Sequence, residues 1–326
     1  MLGGRTRVVI TVLAGLWVGV AEMAESAVEW QVAVPARAEL GERPFWDVAA
    51  GCLGWVDILA GQLHRYRPGL GDEVFHTAGV AVGAAAPRAV TRAGEAGAGY
   101  VLAAADGFRL VGADGRAAGG PLRPPGMVAD ARFNDGACDP AGRFWAGTVT
   151  AGRRPGGGAL YRLDPDGRIT TVLAGVTESN GLGWSPDGGT LYFIDSGEPR
   201  PRIRAFPFDL DSGTVGPAGD LVQPPAGHGI PDGLVVDAEG CLWVAFWGGH
   251  TVRRYSPAGE LLAELPVPVS QPSCPAFGGP DLADLYLTTA WEDMTEAQRA
   301  AEPLAGHVLR TRYGGVAGQP PSTFSG

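Results

Sequence analysis

The chain contains no lysine, so arginine supplies all 25 of its fixed positive charges. The absence of lysine excludes a Schiff-base lysine and the lysine of a Walker A phosphate-binding loop. Asparagine is almost as rare, because only Asn134 and Asn180 occur in 326 residues. A coding bias toward GC-rich codons explains both shortages, and it makes the two remaining asparagines informative.

Positive charge is also scarce relative to negative charge. The 35 acidic residues outnumber the 25 basic ones, which gives a net charge of -10 and an isoelectric point near 5.0. Nucleic acids and anionic membranes bind basic protein surfaces. The composition therefore argues against both partners and favours a small uncharged or cationic substrate.

The cysteines are few and widely separated. They occur at positions 52, 138, 241 and 274, inside apolar runs such as GCLGWVD and GCLWVAF, with no zinc-finger or redox spacing. Small apolar side chains in such runs are usually buried. The sequence therefore predicts buried free thiols, which favour a reducing compartment and a cytoplasmic protein.

The two ends of the chain are expected to lie outside the folded domain. Arg5 and Arg7 precede the apolar run VVITVLAGLWVGVA, a pattern typical of a signal peptide. Met23, however, opens MAESAVEWQVAV, from which the folded pattern would begin cleanly. Residues 1–27 are therefore interpreted as a leader, either a mis-assigned start or a signal peptide that would make the protein exported. Residues 315–326 are predicted to form a flexible C-terminal tail.

Turn-and-strand segments recur along the whole chain. Turns begin near residues 47, 92, 139, 185, 237 and 279, and each leads into a strand such as CLGWVD, YVLAA or LWVAFW that is followed by a second strand. A spacing of about 42 to 52 residues is that of four-stranded propeller blades. Helical periodicity is confined to MTEAQRAAE near residue 294. The sequence predicts an all-β, single-domain, six-bladed β-propeller over residues 28–314, with EWQVAVPARAEL supplying the outer strand of the last blade.

Four oxygen-bearing side chains share one register within these repeats. Counting back five residues from the turn residue gives Glu42, Asn134, Asn180 and Asp232. The corresponding places in the other two units are Pro87 and Cys274. Innermost strands line the central channel of a propeller, so the four side chains are expected to converge there and to suit a divalent cation such as calcium. The alternative for each residue alone is that it caps its own turn.

Several motifs resemble one known family. GERPFWD, RFNDGACDPAGRFWAGT, ALYRLDPDG, SNGLGWSPD, IPDGLVVDAEGCLWVA and PLAGHVLR occur in the order found in the SMP-30/gluconolactonase/regucalcin (LRE-like) family, from about Val28 to about Arg312. The resemblance implies a six-bladed propeller, in agreement with the repeat count. It also implies a hydrolase that opens a sugar lactone, as a monomer or small homo-oligomer.

The resemblance implies roles for five residues. Glu42, Asn180 and Asp232 would hold one divalent metal ion, calcium first, with zinc, manganese or magnesium as alternatives. Arg132 and Asn134 would contact the substrate, and Asp232 would also transfer a proton. From the residues alone, Arg132 could instead pair with a neighbouring aspartate, Asp130 or Asp135. Two other functions remain open, namely another esterase, lactonase or phosphotriesterase-type hydrolase, and a non-catalytic calcium-binding propeller.

The chain departs from the family pattern at two places. Arg43 replaces the glycine that usually follows the first metal-binding glutamate, and the loop TAGRRPGGG lacks an acidic residue that some members place over the substrate. Both departures bear on the identity of the substrate and leave the expected metal ligands intact. The histidines have no metal-ligand spacing, and His228 is expected to lie in an exposed loop.

Overall fold

The computed structural model describes residues 7–9, 28–89, 99–197, 199 and 201–326. Within these residues six antiparallel sheets form the blades of a six-bladed β-propeller, which confirms the predicted fold. The leader predicted over residues 1–27 lies outside the described residues except for one short strand, β1 (Arg7–Val9). This strand pairs with the outer side of β2 (Glu29–Val34).

The first five blades are each built from strands that follow one another in the chain. Blade 1 contains β3 (Gly41–Asp47), β4 (Cys52–Asp57), β5 (Gln62–Arg67) and β6 (Gly71–Thr77). Blade 2 contains β7 (Val82–Pro87), β8 (Tyr100–Ala104) and β9 (Gly107–Val111). Blade 3 contains β10 (Ala131–Cys138), β11 (Phe144–Thr150), β12 (Gly158–Leu163) and β13 (Ile169–Val176). Blade 4 contains β14 (Ser179–Trp184), β15 (Thr190–Asp195), β16 (Ile203–Asp209), β17 (Thr214–Val215) and β18 (Gly219–Val222). Blade 5 contains β19 (Ile230–Val236), β20 (Leu242–Trp247), β21 (Thr251–Tyr255) and β22 (Leu261–Pro266).

Blade 6 joins the two ends of the propeller. It contains β23 (Pro272–Gly278), β24 (Asp284–Thr289) and β25 (Val308–Thr311), and β2 adds its outer strand by pairing with β25. The sequence prediction that the N-terminal segment closes the ring is therefore confirmed. The helix α1 (Glu296–Ala301) lies between β24 and β25, where the predicted helical segment falls, and it begins with a capping box formed by Thr295 and Gln298.

Buried aspartates stabilise the turns that follow the inner strands of blades 3 and 5, and the register of the candidate site residues is counted back from these aspartates. Asp139 accepts a hydrogen bond from the indole Nε1 of Trp145 at 2.8 Å, and Asp237 accepts the equivalent bond from Trp243 at 2.9 Å. Both aspartates also accept bonds from backbone N–H groups of their own turns. The two indoles are fully buried. Because each aspartate is satisfied by its own turn, its position relative to the inner strand is the same in both blades.

Every described inner strand contains a register shift near the same end. The shifts fall between Glu42 and Phe45, Val82 and Ala84, Phe133 and Asp135, Ser179 and Leu182, Pro231 and Leu234, and Pro272 and Cys274. A β-bulge turns side chains out of the alternating pattern and is common beside active sites. In blade 2 the bulge falls on Gly83, so the sequence estimate of Pro87 for that blade is wrong. Pro87 lies at the other end of its strand, opposite Tyr100.

The C-terminal residues differ from the predicted flexible tail. Gly318 bridges to Asp237, the Gln319 side chain donates to backbone oxygens of Trp184 and Val236, and Phe324 is 2% exposed. Ser325 N donates to the carbonyl oxygen of Gly142. Residues 315–326 therefore cross the lower face of the propeller, the face on which the turns of blades 3 to 5 lie. Sequence periodicity cannot detect such contacts because they join distant parts of the chain.

The structure also bears on the state of the cysteines and on membrane-spanning helices. All four cysteines are buried and free, in agreement with the prediction of buried thiols. Among the described residues no helix has the length and apolar character needed to cross a membrane.

Candidate active site and metal centre

A cavity of about 410 Å³ opens where the bulges of the inner strands meet. At about 30 Å³ for each water, it has room for roughly a dozen waters, which is enough for a monosaccharide-sized ligand. Its lining includes all five side chains singled out in the sequence, namely Glu42, Arg132, Asn134, Asn180 and Asp232. The structure thus brings the predicted residues of blades 1, 3, 4 and 5 together at one end of the channel.

The two asparagines of the chain are hydrogen bonded to each other. Nδ2 of Asn134 donates to Oδ1 of Asn180 at 3.0 Å and to the carbonyl oxygen of Ser179 at 2.9 Å. Nδ2 of Asn180 donates in turn to Oγ of Ser196 at 2.9 Å, and that hydroxyl donates to the carbonyl oxygen of Pro231. Neither asparagine caps its own turn. The network fixes both amides, and an amide oxygen with two lone pairs can still accept a further partner.

Glu42 and Asp232 form a buried pair of interacting carboxylates. Both are 6% exposed. Burial and, after it, the charge of Asp135 raise the pKa of Glu42 to about 8. Burial followed by the charge of Glu42 raises the pKa of Asp232 well above its ordinary value. The charge of Glu42 therefore makes ionisation of Asp232 less favourable, and a cation between the two carboxylates would relieve this repulsion.

The chemistry of this donor set fits a divalent cation. Within the described part of the chain, the Asp232 carboxylate has no hydrogen-bond donor or ion-pair partner, and Glu42 accepts a single bond, from the backbone N of Arg43 at 2.8 Å. Two carboxylates and one amide oxygen are ligands that calcium accepts, with waters completing its coordination. Glu42, Asn180 and Asp232 could therefore hold such an ion.

A second acidic group lies on the lower face and is explained without a metal. Ligand atoms of Asp237, Glu239 and Cys241 lie within 4.8 Å of one another. The Asp237 carboxylate, however, already accepts hydrogen bonds from Trp243 and Arg254 as well as from its own turn. This group therefore stabilises a blade turn.

Arg132 extends its guanidinium into the cavity and forms no ion pair with the residues that the structure describes. Its Nη1 donates to the carbonyl oxygen of Phe133 at 3.1 Å and to Oδ1 of Asn134 at 2.6 Å. The neighbouring aspartates pair elsewhere, Asp130 with Arg154 and Asp135 with Arg43. The alternative that Arg132 serves only in an ion pair with one of them is therefore wrong. Burial lowers the pKa of Arg132, and its Nε and Nη2 have no hydrogen-bond acceptor among the described residues.

The sequence did not predict four charged residues of the cavity, namely Arg153, Glu178, Glu292 and Asp293. Arg153 and Glu178 lie on one wall, with Nε of Arg153 donating to Oε1 of Glu178 at 2.8 Å, and Glu292 lies in the loop between β24 and α1. Arg153 belongs to the loop TAGRRPGGG, in which the sequence analysis noted only the lack of an acidic residue. Glu292 lies just before MTEAQRAAE, the segment for which the sequence analysis noted helical periodicity. His228 is exposed, as expected, and does not line the cavity.

A smaller cavity of about 150 Å³ lies at the opposite end of the channel. Inner strands of all six blades and residues 318–322 of the C-terminal tail line it, and its wall is mainly apolar, with Trp46, Trp184 and Phe277 among its members. It contains neither Glu42 nor Asp232. Of these two cavities, the upper one therefore contains the carboxylates that could bind a metal ion.

The chain is similar to known proteins over most of its length. The chain is 38% identical over 288 residues to 6-deoxy-6-sulfogluconolactonase of Pseudomonas putida, covering 88% of this chain and 95% of that protein. It is 32% identical over 307 residues to regucalcin of Xenopus laevis, covering 92% of this chain and 100% of that protein. A crystal structure of regucalcin from Agrobacterium tumefaciens, described as a calcium-binding protein, superposes with a TM-score of 0.81 at 30% identity and covers 90% of this chain and 96% of that one.

The chain also matches a sequence model that represents a whole protein family. The model of the SMP-30/Gluconolactonase/LRE-like region covers residues 40–291, which include all six inner strands and every residue singled out in the sequence. The chain therefore belongs to the SMP-30/gluconolactonase/LRE-like family.

Proposed function

We propose that this protein is a metal-dependent lactonase that hydrolyses a sugar lactone by attack of water on the lactone carbonyl. The convergence of Glu42, Asn180 and Asp232 with Arg132 and Asn134 in one cavity is the observation that carries the proposal. A similar protein, at 38% identity, is named for a sugar lactone that it hydrolyses. A divalent cation held by Glu42, Asn180 and Asp232 would supply Lewis-acid polarisation of the carbonyl.

Arg132 and Asn134 orient the substrate. The donors of Arg132 that remain free can bind the ring oxygen and a hydroxyl of the sugar, and the planar guanidinium fixes their direction. The bond from Nη1 of Arg132 to Asn134 at 2.6 Å holds the guanidinium over the cavity. Because Asn134 is itself bonded to Asn180, substrate-binding and proposed metal-binding groups are mechanically linked.

Asp232 moves the proton. Its carboxylate faces the cavity without a hydrogen-bond donor from the described residues and is buried beside Glu42. Burial raises the pKa of Asp232, which makes it a stronger base than an exposed carboxylate. It accepts a proton from the attacking water and returns one to the ring oxygen as the C–O bond of the lactone breaks. The product is the open-chain sugar acid.

The decisive experiment compares catalysis with binding. Protein stripped with a chelator is re-supplied with calcium, magnesium, manganese or zinc, and each form is assayed against aldonolactones, an aryl ester and a phosphotriester. Metal-dependent opening of aldonolactones, with little turnover of the other two classes, is the expected result. Tight calcium binding without turnover of any ester would instead support a non-catalytic calcium-binding propeller. Preference for the aryl ester or the phosphotriester would assign a different hydrolase activity to the same scaffold.

A further inference from the structure

The rim of the cavity contains a carboxylate to which the proposed mechanism gives no role. Glu292 lines the cavity on the side of blade 6, in the loop that follows β24. After burial, its charge has the largest effect on the guanidinium of Arg132, and it also acts on Arg153 from across the opening. Glu292 therefore acts on both arginines of the cavity, and unlike Glu178 it forms no ion pair with either of them among the described residues.

The backbone around Glu292 is held on both sides. Trp291 N donates to the carbonyl oxygen of Glu39 at 3.1 Å, and Nε2 of Gln271 donates to the carbonyl oxygen of Glu292 at 3.0 Å. Met294 N closes the turn by donating to Trp291. Because the main chain is fixed by these bonds, the Glu292 carboxylate is presented to the cavity from a defined position.

The charged groups around the opening of the cavity carry a net negative charge. Arg153 is paired with Glu178 at 2.8 Å. A divalent cation would offset Glu42 and Asp232. Arg132 is then the remaining positive charge. The Glu292 carboxylate acts on it, and the neighbouring Asp293 lines the same cavity. The rim therefore has one more carboxylate than arginine, and a negatively charged group pointing toward it would be repelled.

We infer that Glu292 is a specificity-determining residue that selects sugar lactones with neutral, hydroxylated tails over lactones with an anionic tail. An ionised carboxylate accepts up to about four hydrogen bonds and donates none, so it pairs well with neighbouring hydroxyl groups. A sulfonate or carboxylate at the same position offers only acceptors and adds like charge. This inference rests on the proposed lactonase function and names the class of its substrate.

A matched pair of lactones tests the inference directly. D-glucono-1,4-lactone and D-glucaro-1,4-lactone have the same ring and differ at carbon 6, which is a hydroxymethyl group in the first and a carboxylate in the second. The ratio of kcat/KM for the pair is measured with saturating metal in wild type, Glu292→Gln and, as a control, Glu296→Gln. Glu296 is exposed on α1 and does not line the cavity. If either lactone is not turned over, its Ki against hydrolysis of glucono-1,5-lactone replaces kcat/KM.

The expected results are specific. Wild type favours the neutral lactone at least about tenfold, Glu292→Gln reduces that preference about tenfold mainly through KM, and Glu296→Gln leaves it unchanged. Equal preference in wild type and Glu292→Gln, with unchanged melting temperatures, would overturn the inference, as would a wild-type preference for the anionic lactone. If wild type opens other sugar lactones, only the inference is at stake. If it opens none, the proposed function fails and the inference fails with it.

Discussion

Arg43 forms an ion pair with Asp135 inside the channel, with Nη1 of the arginine 3.4 Å from Oδ1 of the aspartate. Asp135 is 1% exposed, and its Oδ2 has no hydrogen-bond partner among the described residues. Arg43 adopts a left-handed backbone conformation with φ of 38°, which a glycine would adopt without strain. The chain accepts backbone strain here and gains a cation next to a buried carboxylate.

Replacing Arg43 with glycine is expected to destabilise the protein. Glycine relieves about 1 kcal/mol of backbone strain, but removal of one partner from a buried ion pair costs about 3–5 kcal/mol. The free energy of unfolding should therefore fall by about 2–4 kcal/mol in urea titrations at pH 8. The double variant Arg43→Gly with Asp135→Asn should recover most of this loss, because no charge then remains unpaired. An Arg43→Gly variant as stable as wild type would show that the ion pair contributes little.

Metal binding is expected to depend on Glu42 and Asn180. Glu42→Gln and Asn180→Ala each remove an oxygen ligand or its charge, so calorimetric affinity for calcium should fall about tenfold or more in each variant. The stabilisation by calcium, about 2.7 kcal/mol at a concentration of 100 times Kd, should shrink with it. Glu239→Gln is the matched control, since Glu239 belongs to the acidic group of the lower face. A loss of affinity in the control but not in the other two variants would move the metal to the lower face.

Asp232→Asn separates proton transfer from metal binding. Asparagine keeps an oxygen for the metal but removes the base, so kcat should fall by ~10²- to 10⁴-fold. Activity is measured at metal concentrations that saturate the variant, because a weakened ligand would also slow turnover. Arg132→Ala, in contrast, should lower kcat/KM and leave metal affinity nearly unchanged. A near-normal kcat for saturated Asp232→Asn would refute the assignment of the base.

The chelated protein should lose stability as the pH rises. In the folded state the pKa of Glu42 is about 8, above its ordinary value of 4.5, so the folded state binds its proton more tightly than the unfolded state does. This contribution to stability is fully present below pH 4.5 and is lost as the pH rises to about 8, at up to about 1.4 kcal/mol for each pH unit. The melting temperature without metal should therefore decline between pH 5 and pH 8.

Two comparisons isolate the Glu42 contribution to this decline. Glu42→Gln cannot ionise, so its melting temperature without metal should depend less on pH over the same range. Calcium should reduce the decline in wild type, because the cation binds the ionised carboxylates of the folded state. A melting temperature that rises steadily from pH 5 to pH 8 in the chelated wild type would contradict the raised pKa.

The inner-strand residues were predictable because the same turn geometry repeats in blades 3 and 5. The turn aspartates Asp139 and Asp237 are fixed by the same tryptophan bond, so counting back from them leads to equivalent positions, Asn134 and Asp232. The same count gave Pro87 in blade 2, where the turn near residue 92 lies outside the described residues and the bulge falls on Gly83.

The rim residues and the tail could not be predicted in this way. Arg153 and Glu292 come from loops whose length and conformation no repeat constrains. The loop of Glu292 is held by the bond from Trp291 N to the carbonyl oxygen of Glu39 and by the bond from Gln271 Nε2 to the carbonyl oxygen of Glu292. The ordering of Phe324 depends on its burial among residues of blades 2 and 3, far away in the sequence. Periodicity carries information about strands, whereas these positions are fixed by single long-range contacts.

The position of the C-terminal tail bears on the route by which substrate enters the cavity and product leaves it. Because residues 318–322 line the small, mainly apolar cavity at the lower end of the channel, the polar approach to Asp232 lies at the upper rim in the described part of the chain. A sugar acid released beside Asp232 would leave by the route through which the next lactone arrives. Inhibition by the product should therefore be competitive with substrate, and the same carboxylates that repel an anionic lactone at the rim would hasten departure of the acid.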